Sequence, residues 1–128
     1  MSAFSCDFEI RFGEVDMQGV VFNAHYLAYV DHCVDSWLRT LGVLTLDGAW
    51  DIMVKKATIE WHGSAGLRET LTLTPHVSRW GNTSFDITVD GAVGDRPVFT
   101  AVVLYVGVKM GTKEPAPPPD EVRAALSA

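Results

Sequence analysis

A carboxylate, Asp16, lies seven residues before the start of a predicted helix. This spacing suits the chemistry of acyl transfer. Asp16 lies on a loop flanked by Gly13 and Gly19, and a helical pattern begins near Asn23. The N-terminus of a helix offers unpaired backbone N–H groups and a partial positive charge. Such N–H groups can polarise a carbonyl, while a carboxylate attacks the acyl carbon or activates water. An aspartate before a helix is more commonly a turn residue, so spacing alone leaves both interpretations open.

One long helix is predicted to follow this loop. Apolar residues recur at helical spacing from Tyr26 to Leu41. Asn23 is a suitable N-cap, because its side-chain oxygen can accept a bond from an early backbone N–H. Gly42 is a typical C-terminal stop. The pattern therefore predicts a helix over residues 24–41.

Alternation of apolar and polar residues predicts strands in most of the remaining chain. Residues 8–12 alternate with a period of two, and four longer segments with strand patterns follow residue 52. The last of them, 98–108, is apolar almost throughout, which predicts burial on both faces. The prolines at 115–119 precede a short predicted helix over 121–126. Because one helix must cover the sheet, we predict an α+β fold with an antiparallel sheet wrapped around one long α-helix.

Composition and charge exclude several classes of protein. The 128 residues fit a single domain, 1–128, and 48% of them are hydrophobic, which is enough to fill a core. A formal net charge of -6 without a basic run argues against nucleic-acid binding. The longest apolar run, 101–108, is too short for membrane insertion. With no signal-peptide pattern and only two cysteines, we expect a reduced, cytoplasmic compartment.

The segment 11–26 resembles the signature of the hotdog-fold acyl-CoA thioesterases of the 4-hydroxybenzoyl-CoA thioesterase type. Nine residues match that signature: Arg11, Phe12, Asp16, Gly19, Val20, Val21, Phe22, Asn23 and Tyr26. The order of one helix and four strands is similar too, and so is the proline-rich end with its short helix. Where many members carry an aspartate two residues before the catalytic one, this chain has Glu14.

The resemblance implies hydrolysis of an acyl-CoA to a free acid and a thiol. Asp16 matches the catalytic carboxylate, and the backbone N–H of Asn23 matches the group that polarises the thioester carbonyl. Gly19 would let the loop pass close to the substrate, and an ordinary turn glycine is the equal alternative. Three further residues are predicted to contact substrate, although packing explains the last of them better: Phe22, His25 and Tyr26. No metal or other cofactor is expected, since coenzyme A is part of the substrate. The family's active site usually lies between subunits, which implies a homodimer or homotetramer.

The phosphates of coenzyme A require cations or turn N–H groups. Arg79 precedes the turn 81–84, so Arg79 and Ser84 are our candidates for phosphate binding, with a solvated surface charge as the alternative. His25 and His32 are seven residues apart and lack an HxxxH spacing, which argues against a metal site.

Two other functions stay open from the sequence. A hotdog hydratase or dehydratase would pair His25 with Asp16, although the hydratase-type spacing of Asp, Asn-Pro and His is absent. A non-catalytic subunit that binds acyl thioesters is the second alternative. A thioester of an acyl carrier protein could also replace the CoA ester, and the acidic charge of this chain disfavours docking to an acidic carrier.

Overall fold

The described residues, 4–43 and 48–127 of a computed structural model, form one five-stranded antiparallel sheet and two α-helices. The strands are β1 (Cys6–Glu9), β2 (Trp50–Trp61), β3 (Thr70–Trp80), β4 (Ser84–Val93) and β5 (Arg96–Lys109). The helices are α1 (His25–Thr40) and α2 (Asp120–Leu126), and a 3-10 turn, Phe12–Glu14, lies between β1 and α1. The predicted succession of a short strand, a long helix, four strands and a short helix is confirmed.

The sheet places the two strands that flank α1 in sequence at its opposite edges. Its strand order is β1-β3-β4-β5-β2, and every neighbouring pair is antiparallel. β5 is paired on both sides, whereas the 12-residue β2 is paired with β5 alone within the described residues. An edge strand of this length presents a row of open backbone groups.

β5 is buried on one face rather than on both. Its buried residues alternate with half-buried ones along most of the strand, as in Ala101, Val103 and Tyr105 against Val102 and Leu104. The prediction of burial on both faces is therefore wrong for the single chain. The physical reason is that only one face of the sheet packs into the hydrophobic core, although the residues on the other face are also largely aliphatic.

α1 is held to the sheet by its apolar side. Seven of its residues are buried in the hydrophobic core: Tyr26, Tyr29, Val30, Cys33, Val34, Trp37 and Leu38. Full burial of an aliphatic side chain such as Val30 or Leu38 contributes about 1.5–3 kcal/mol. On the exposed side, Arg39 donates to Asp35 at 3.0 and 3.1 Å, and exposed pairs of this kind contribute only about 0.3–0.5 kcal/mol. Burial therefore outweighs the surface charges in fixing this helix. No helix in the described part of the chain has the length and hydropathy of a membrane span.

The first turn of α1 differs from the prediction. The N-cap is Ala24, which has helical backbone angles (φ -65°, ψ -23°) and provides no side-chain cap. The prediction of Asn23 as N-cap is therefore wrong. The reason is a backbone turn before the helix, in which His25 N–H donates to the Phe22 carbonyl at 2.9 Å and Tyr26 N–H donates to the Asn23 carbonyl at 3.3 Å.

α2 closes one end of the sheet against the β3–β4 turn. The Arg123 guanidinium lies 4.9 Å from the centre of the Trp80 ring. Its Nη2 also donates to the carbonyls of Gly81 and Asn82 at 2.8 and 3.0 Å. Trp80 Nε1 in turn donates to the Ser127 hydroxyl at 3.2 Å. The C-terminal helix is thus fixed by Arg123 as well as by its buried Val122 and Leu126.

We predict that Gly91→Ala destabilises the fold. A Cβ at Gly91 would collide with the buried ring of Phe99 on the paired strand β5. Overpacking of this kind costs about 1–3 kcal/mol, so the denaturant midpoint should fall without loss of two-state behaviour. Gly13→Ala is the matched control, because a Cβ at Gly13 meets nothing within 4 Å. Equal midpoints for the two variants would contradict the packing of Phe99 described above.

Candidate active site

Asp16 lies in a tight turn that its own backbone and side chain help to close. Its N–H donates to the Val20 carbonyl at 2.9 Å, and its carbonyl accepts from Gly19 N–H at 3.0 Å. Its Oδ1 accepts from Gln18 N–H at 2.8 Å. Val15 and Val21 then pair as an antiparallel bridge across the turn. Asp16 is thus a turn residue whose Oδ2 makes no hydrogen bond among the described residues, and its catalytic role stays a prediction.

The backbone conformation of this turn favours glycine at position 19, and steric crowding does not. Its φ is +76°, a left-handed conformation that side-chain-bearing residues rarely adopt. No atom lies within 4 Å of the position that a Cβ would occupy. The backbone turn therefore accounts for Gly19, and its close approach to a substrate stays a prediction.

Glu14 makes hydrogen bonds to both ends of the loop over residues 11–22. Arg11 donates to it twice, from the backbone N–H to Oε1 at 2.8 Å and from Nη2 to Oε2 at 3.0 Å. The Glu14 carbonyl accepts from Phe22 N–H at 3.0 Å. Hydrogen bonding to the Arg11 guanidinium lowers the pKa of Glu14. Glu14 departs from the family signature, and its spacing of three residues from Arg11 is the signal in the sequence that points to this contact.

The start of α1 presents two unpaired backbone donors. Within the described residues, neither the Asn23 N–H nor the Ala24 N–H donates to a protein acceptor, whereas the N–H groups of His25 and Tyr26 do. Asn23 and Ala24 are both exposed. The predicted donor at Asn23 is therefore accessible, and Ala24 adds a second donor that the sequence pattern did not reveal.

Tyr26 brings this end of α1 close to the Asp16 turn. Its side chain is 1% exposed, and its hydroxyl accepts from Ala65 N–H at 3.4 Å. Its ring centre lies 5.3 Å from that of Phe99 and 5.9 Å from that of Trp61. Burial raises the pKa of the Tyr26 hydroxyl, and the nearby charge of Asp16 adds to that increase. Tyr26 thus packs in the core, as the alternative interpretation expected.

Phe22 and His25 form the exposed side of the same junction. The Phe22 ring is 51% exposed and meets the His25 ring edge-on, with 6.0 Å between ring centres. No hydrogen bond joins His25 to Asp16 in the part of the chain that the structure describes. The two aromatic rings therefore contact each other at the start of α1, and the described residues show no acid–base pair between His25 and Asp16.

Arg79 and Ser84 lie together at the β3–β4 hairpin. Arg79 Nε donates to Asp86 at 3.0 Å, and its Nη2 donates to the Ser84 hydroxyl at 3.2 Å. The charge of Arg79 is therefore paired with the Asp86 carboxylate on the neighbouring strand. No hydrogen bond links Arg79 or Ser84 to the Asp16 turn among the described residues. Their role with coenzyme A stays a prediction. The described residues contain no cluster of three or more side chains that could hold a metal ion.

Comparison with known proteins assigns the family. The model of the Thioesterase-like superfamily matches residues 10–126, so the chain belongs to that superfamily. No curated protein sequence matches at a significant level.

Solved structures show the same fold at low sequence identity. A thioesterase superfamily protein from Jannaschia sp. CCS1 has a TM-score of 0.90 and 21% identity, over 98% of this chain and 91% of that one. The 1,4-dihydroxy-2-naphthoyl-CoA thioesterase of Synechocystis has a TM-score of 0.83 and 17% identity, over 98% and 96%. A gentisyl-coenzyme A thioesterase has a TM-score of 0.85 and 20% identity, over 97% and 100%. The fold is thus of the hotdog type, and family membership supports acyl-thioester hydrolysis as the general reaction.

We predict that Glu14→Gln flattens the acid limb of the stability curve. Because Arg11 lowers the pKa of folded Glu14 below its ordinary value of 4.5, the carboxylate stabilises the folded state at higher pH. That contribution is lost as the pH falls through the folded pKa. The denaturant midpoint of the wild type should therefore fall more than that of the variant between pH 6 and roughly pH 3.

Glu114→Gln is the control, since the Glu114 side chain is exposed and makes no ion pair among the described residues. Its acid limb should follow that of the wild type. Parallel curves for wild type and Glu14→Gln would show that the Arg11–Glu14 contact does not hold the loop in solution.

Proposed function

We propose that the protein is an acyl-CoA thioesterase. In the proposed fold, the antiparallel sheet wraps around α1, which is the one long central helix. Water and the thioester would be converted to a free acid and a thiol. The observation that carries the proposal is that two unpaired N–H groups, at Asn23 and Ala24, directly follow the segment that folds back on the Asp16 turn through the Val15–Val21 bridge. We call the Asp16 turn and these two N–H groups the Asp16 junction. Membership of the Thioesterase-like superfamily supports the reaction class.

In this mechanism the thioester carbonyl accepts from Asn23 N–H, with Ala24 N–H as a second donor. Both donors would stabilise the oxyanion that develops as the carbonyl carbon becomes tetrahedral, and one such donor is worth about 2.7–4 kcal/mol in the transition state. Their fixed positions support this role, because the preceding turn sets them before substrate binds.

Asp16 acts on the carbonyl carbon, either by direct attack or by taking a proton from water. Gln18 N–H fixes Oδ1, so the carboxylate is oriented while Oδ2 is left for the reaction. Direct attack gives a mixed anhydride that water then hydrolyses, and activation of water gives the acid in one displacement. Both routes release the thiol and need no metal or redox cofactor. Phe22, His25 and Gly19 would border the substrate.

The identity of the acyl group is to be determined with a panel of substrates. Two of the similar structures are named for aromatic acyl-CoA substrates, 1,4-dihydroxy-2-naphthoyl-CoA and gentisyl-coenzyme A. Aromatic hydroxyacyl-CoAs therefore stand first in a substrate panel, followed by aliphatic acyl-CoAs of increasing length. We also predict from the sequence that the CoA phosphates bind near Arg79 and Ser84. A cytoplasmic location is a separate prediction from the sequence.

We predict that Asp16→Asn abolishes most thiol release while the fold is kept. The amide retains the size of the side chain but loses the negative charge, so it can neither attack nor accept a proton. Turnover of the preferred acyl-CoA should fall by about two to four orders of magnitude, measured as thiol release with a chromogenic disulfide reagent.

Asp95→Asn is the control, because Asp95 is an exposed residue of the β4–β5 turn and should leave turnover unchanged. Full activity of Asp16→Asn would exclude the proposed role of Asp16. Hydration of an enoyl-CoA without thiol release would instead favour the hydratase alternative, and binding without any turnover would favour a non-catalytic subunit.

We also propose that the β2 edge pairs with a second copy to give at least a homodimer. This strand carries three large apolar side chains that are more than two-fifths exposed: Met53, Val54 and Trp61. A long strand edge that is paired on one side only favours association with another strand, although Lys55 and Lys56 place charge beside the exposed apolar side chains. The dimer would place the Asp16 junction of one chain close to the second chain, as the family resemblance implies.

We predict that Val54→Lys shifts the protein toward the 14.0 kDa monomer in sedimentation equilibrium. A third lysine next to Lys55 and Lys56 replaces an exposed apolar side chain by a charge and should oppose pairing between copies. Leu67→Lys is the control, because Leu67 is similarly exposed but lies outside the sheet. A wild-type monomer, or an unchanged mass for Val54→Lys, would contradict pairing through β2.

A further inference from the structure

The loop between β2 and β3, residues 62–69, contacts the Asp16 turn through its backbone. Val20, whose carbonyl accepts from the Asp16 N–H at 2.9 Å, pairs with Gly66 as an antiparallel bridge. A Cβ on Gly66 would lie only 3.4 Å from the Gly19 carbonyl oxygen. The two backbones are therefore in close contact, and we refer to this segment as the β2–β3 loop.

The same loop is also bonded to the chain that leads into α1. Val21 N–H donates to the Ala65 carbonyl at 2.9 Å, and Ala65 N–H donates to the Tyr26 hydroxyl at 3.4 Å. Ala65 is fully buried, so water does not compete for these contacts. The position of the β2–β3 loop therefore helps to set both parts of the Asp16 junction.

The β2–β3 loop is in turn held by an ion pair between Glu69 and Arg96, the first residue of β5. Arg96 Nη2 donates to both carboxylate oxygens of Glu69, at 2.7 and 2.8 Å, and to the Ser64 carbonyl at 3.2 Å. Glu69 Oε1 also accepts from Gly66 N–H at 2.7 Å. Hydrogen bonding to Arg96, and then to Gly66 N–H, lowers the pKa of Glu69, so the carboxylate is ionised at physiological pH.

These contacts differ from those of an ordinary surface ion pair. Arg39 and Asp35 join two exposed side chains of one helix, and such pairs contribute little. Glu69 and Arg96 bind backbone groups of the loop as well as each other, and hydrogen bonds to charged groups are the stronger ones. The pair thus connects β5 to the backbone segment that contacts the Asp16 turn.

We propose that Glu69 and Arg96 are positioning residues of the Asp16 junction. They act through the β2–β3 loop, which holds the Asp16 turn on one side and the chain before α1 on the other. Neither side chain has to touch a substrate in this role. An effect on turnover rests on the function proposed above, whereas the effect on the loop is independent of any reaction.

Amide hydrogen exchange, followed by NMR on the full chain at neutral pH, tests the effect on the loop. Glu69→Ala should speed exchange of the Val21 N–H by about tenfold or more, because the carbonyl that it bonds is no longer held in place. Exchange of the Ile87 amide in the central strand β4 should not change, which shows that the fold is kept.

Asp35→Ala is the matched control, since it also removes a carboxylate that is paired with an arginine at 3.0 Å. It should leave exchange at Val21 unchanged. Unchanged exchange at Val21 in Glu69→Ala, or an equal acceleration at Ile87, would overturn the proposal.

Thiol release tests the effect on the reaction. Glu69→Ala should lower kcat by about tenfold with KM nearly unchanged, because a displaced Asp16 acts less well on a substrate that is still bound. Glu69→Gln should lose less, since its amide oxygen can still accept from Gly66 N–H. Asp35→Ala should keep the activity of the wild type.

A double variant shows whether the effect passes through Asp16. In the Asp16→Asn background, Glu69→Ala should lower the residual rate by less than about threefold, because the group that it positions is already inactive. An equal fold-loss in both backgrounds would contradict the positioning role. Absence of thiol release from the wild type would instead contradict the proposed function, and the exchange of Val21 would then decide on the role of Glu69 alone.

Discussion

Burial of the Tyr26 side chain against the sheet fixes the start of α1, and the candidate site depends on that position. The ring packs edge-on against Phe99 and Trp61, while the hydroxyl is bonded to Ala65 N–H. This contact joins the helix to β5, to the end of β2 and to the turn that follows. Because Tyr26 lies in the first turn of α1, the free N–H groups just before it have a defined place relative to Asp16.

The loop before α1 completes the same arrangement through its own hydrogen bonds. Glu14 links Arg11 to Phe22, so the two ends of the loop are held together. Gly19 allows the left-handed turn that closes around Asp16. The site is therefore made from one continuous stretch of chain, and the sheet serves to hold both ends of it. Two solved structures with the same fold are only 20% and 21% identical to this chain.

Periodicity in the sequence predicted the elements well and the local contacts less well. α1 and the four long strands followed from patterns of apolar residues, because those patterns reflect which face is buried. The cap of α1 was misassigned because a backbone turn replaces the expected side-chain bond of Asn23. The pairing of Arg79 with Asp86 depends on the register of β3 and β4, which no local pattern reveals. The Tyr105 hydroxyl is buried without a hydrogen-bond partner among the described residues. Its surroundings depend on contacts distant in sequence, so no local pattern reveals this.

The central claim is that a thioester carbonyl binds at the start of α1, beside Asp16. The most direct test is a crystal structure of Asp16→Asn with the preferred acyl-CoA, in which slow turnover keeps the thioester intact. We predict a carbonyl oxygen within about 3 Å of the Asn23 backbone nitrogen, with the substituted amide side chain of the variant facing the carbonyl carbon. A thioester bound with its carbonyl away from the α1 N-terminus would contradict the account.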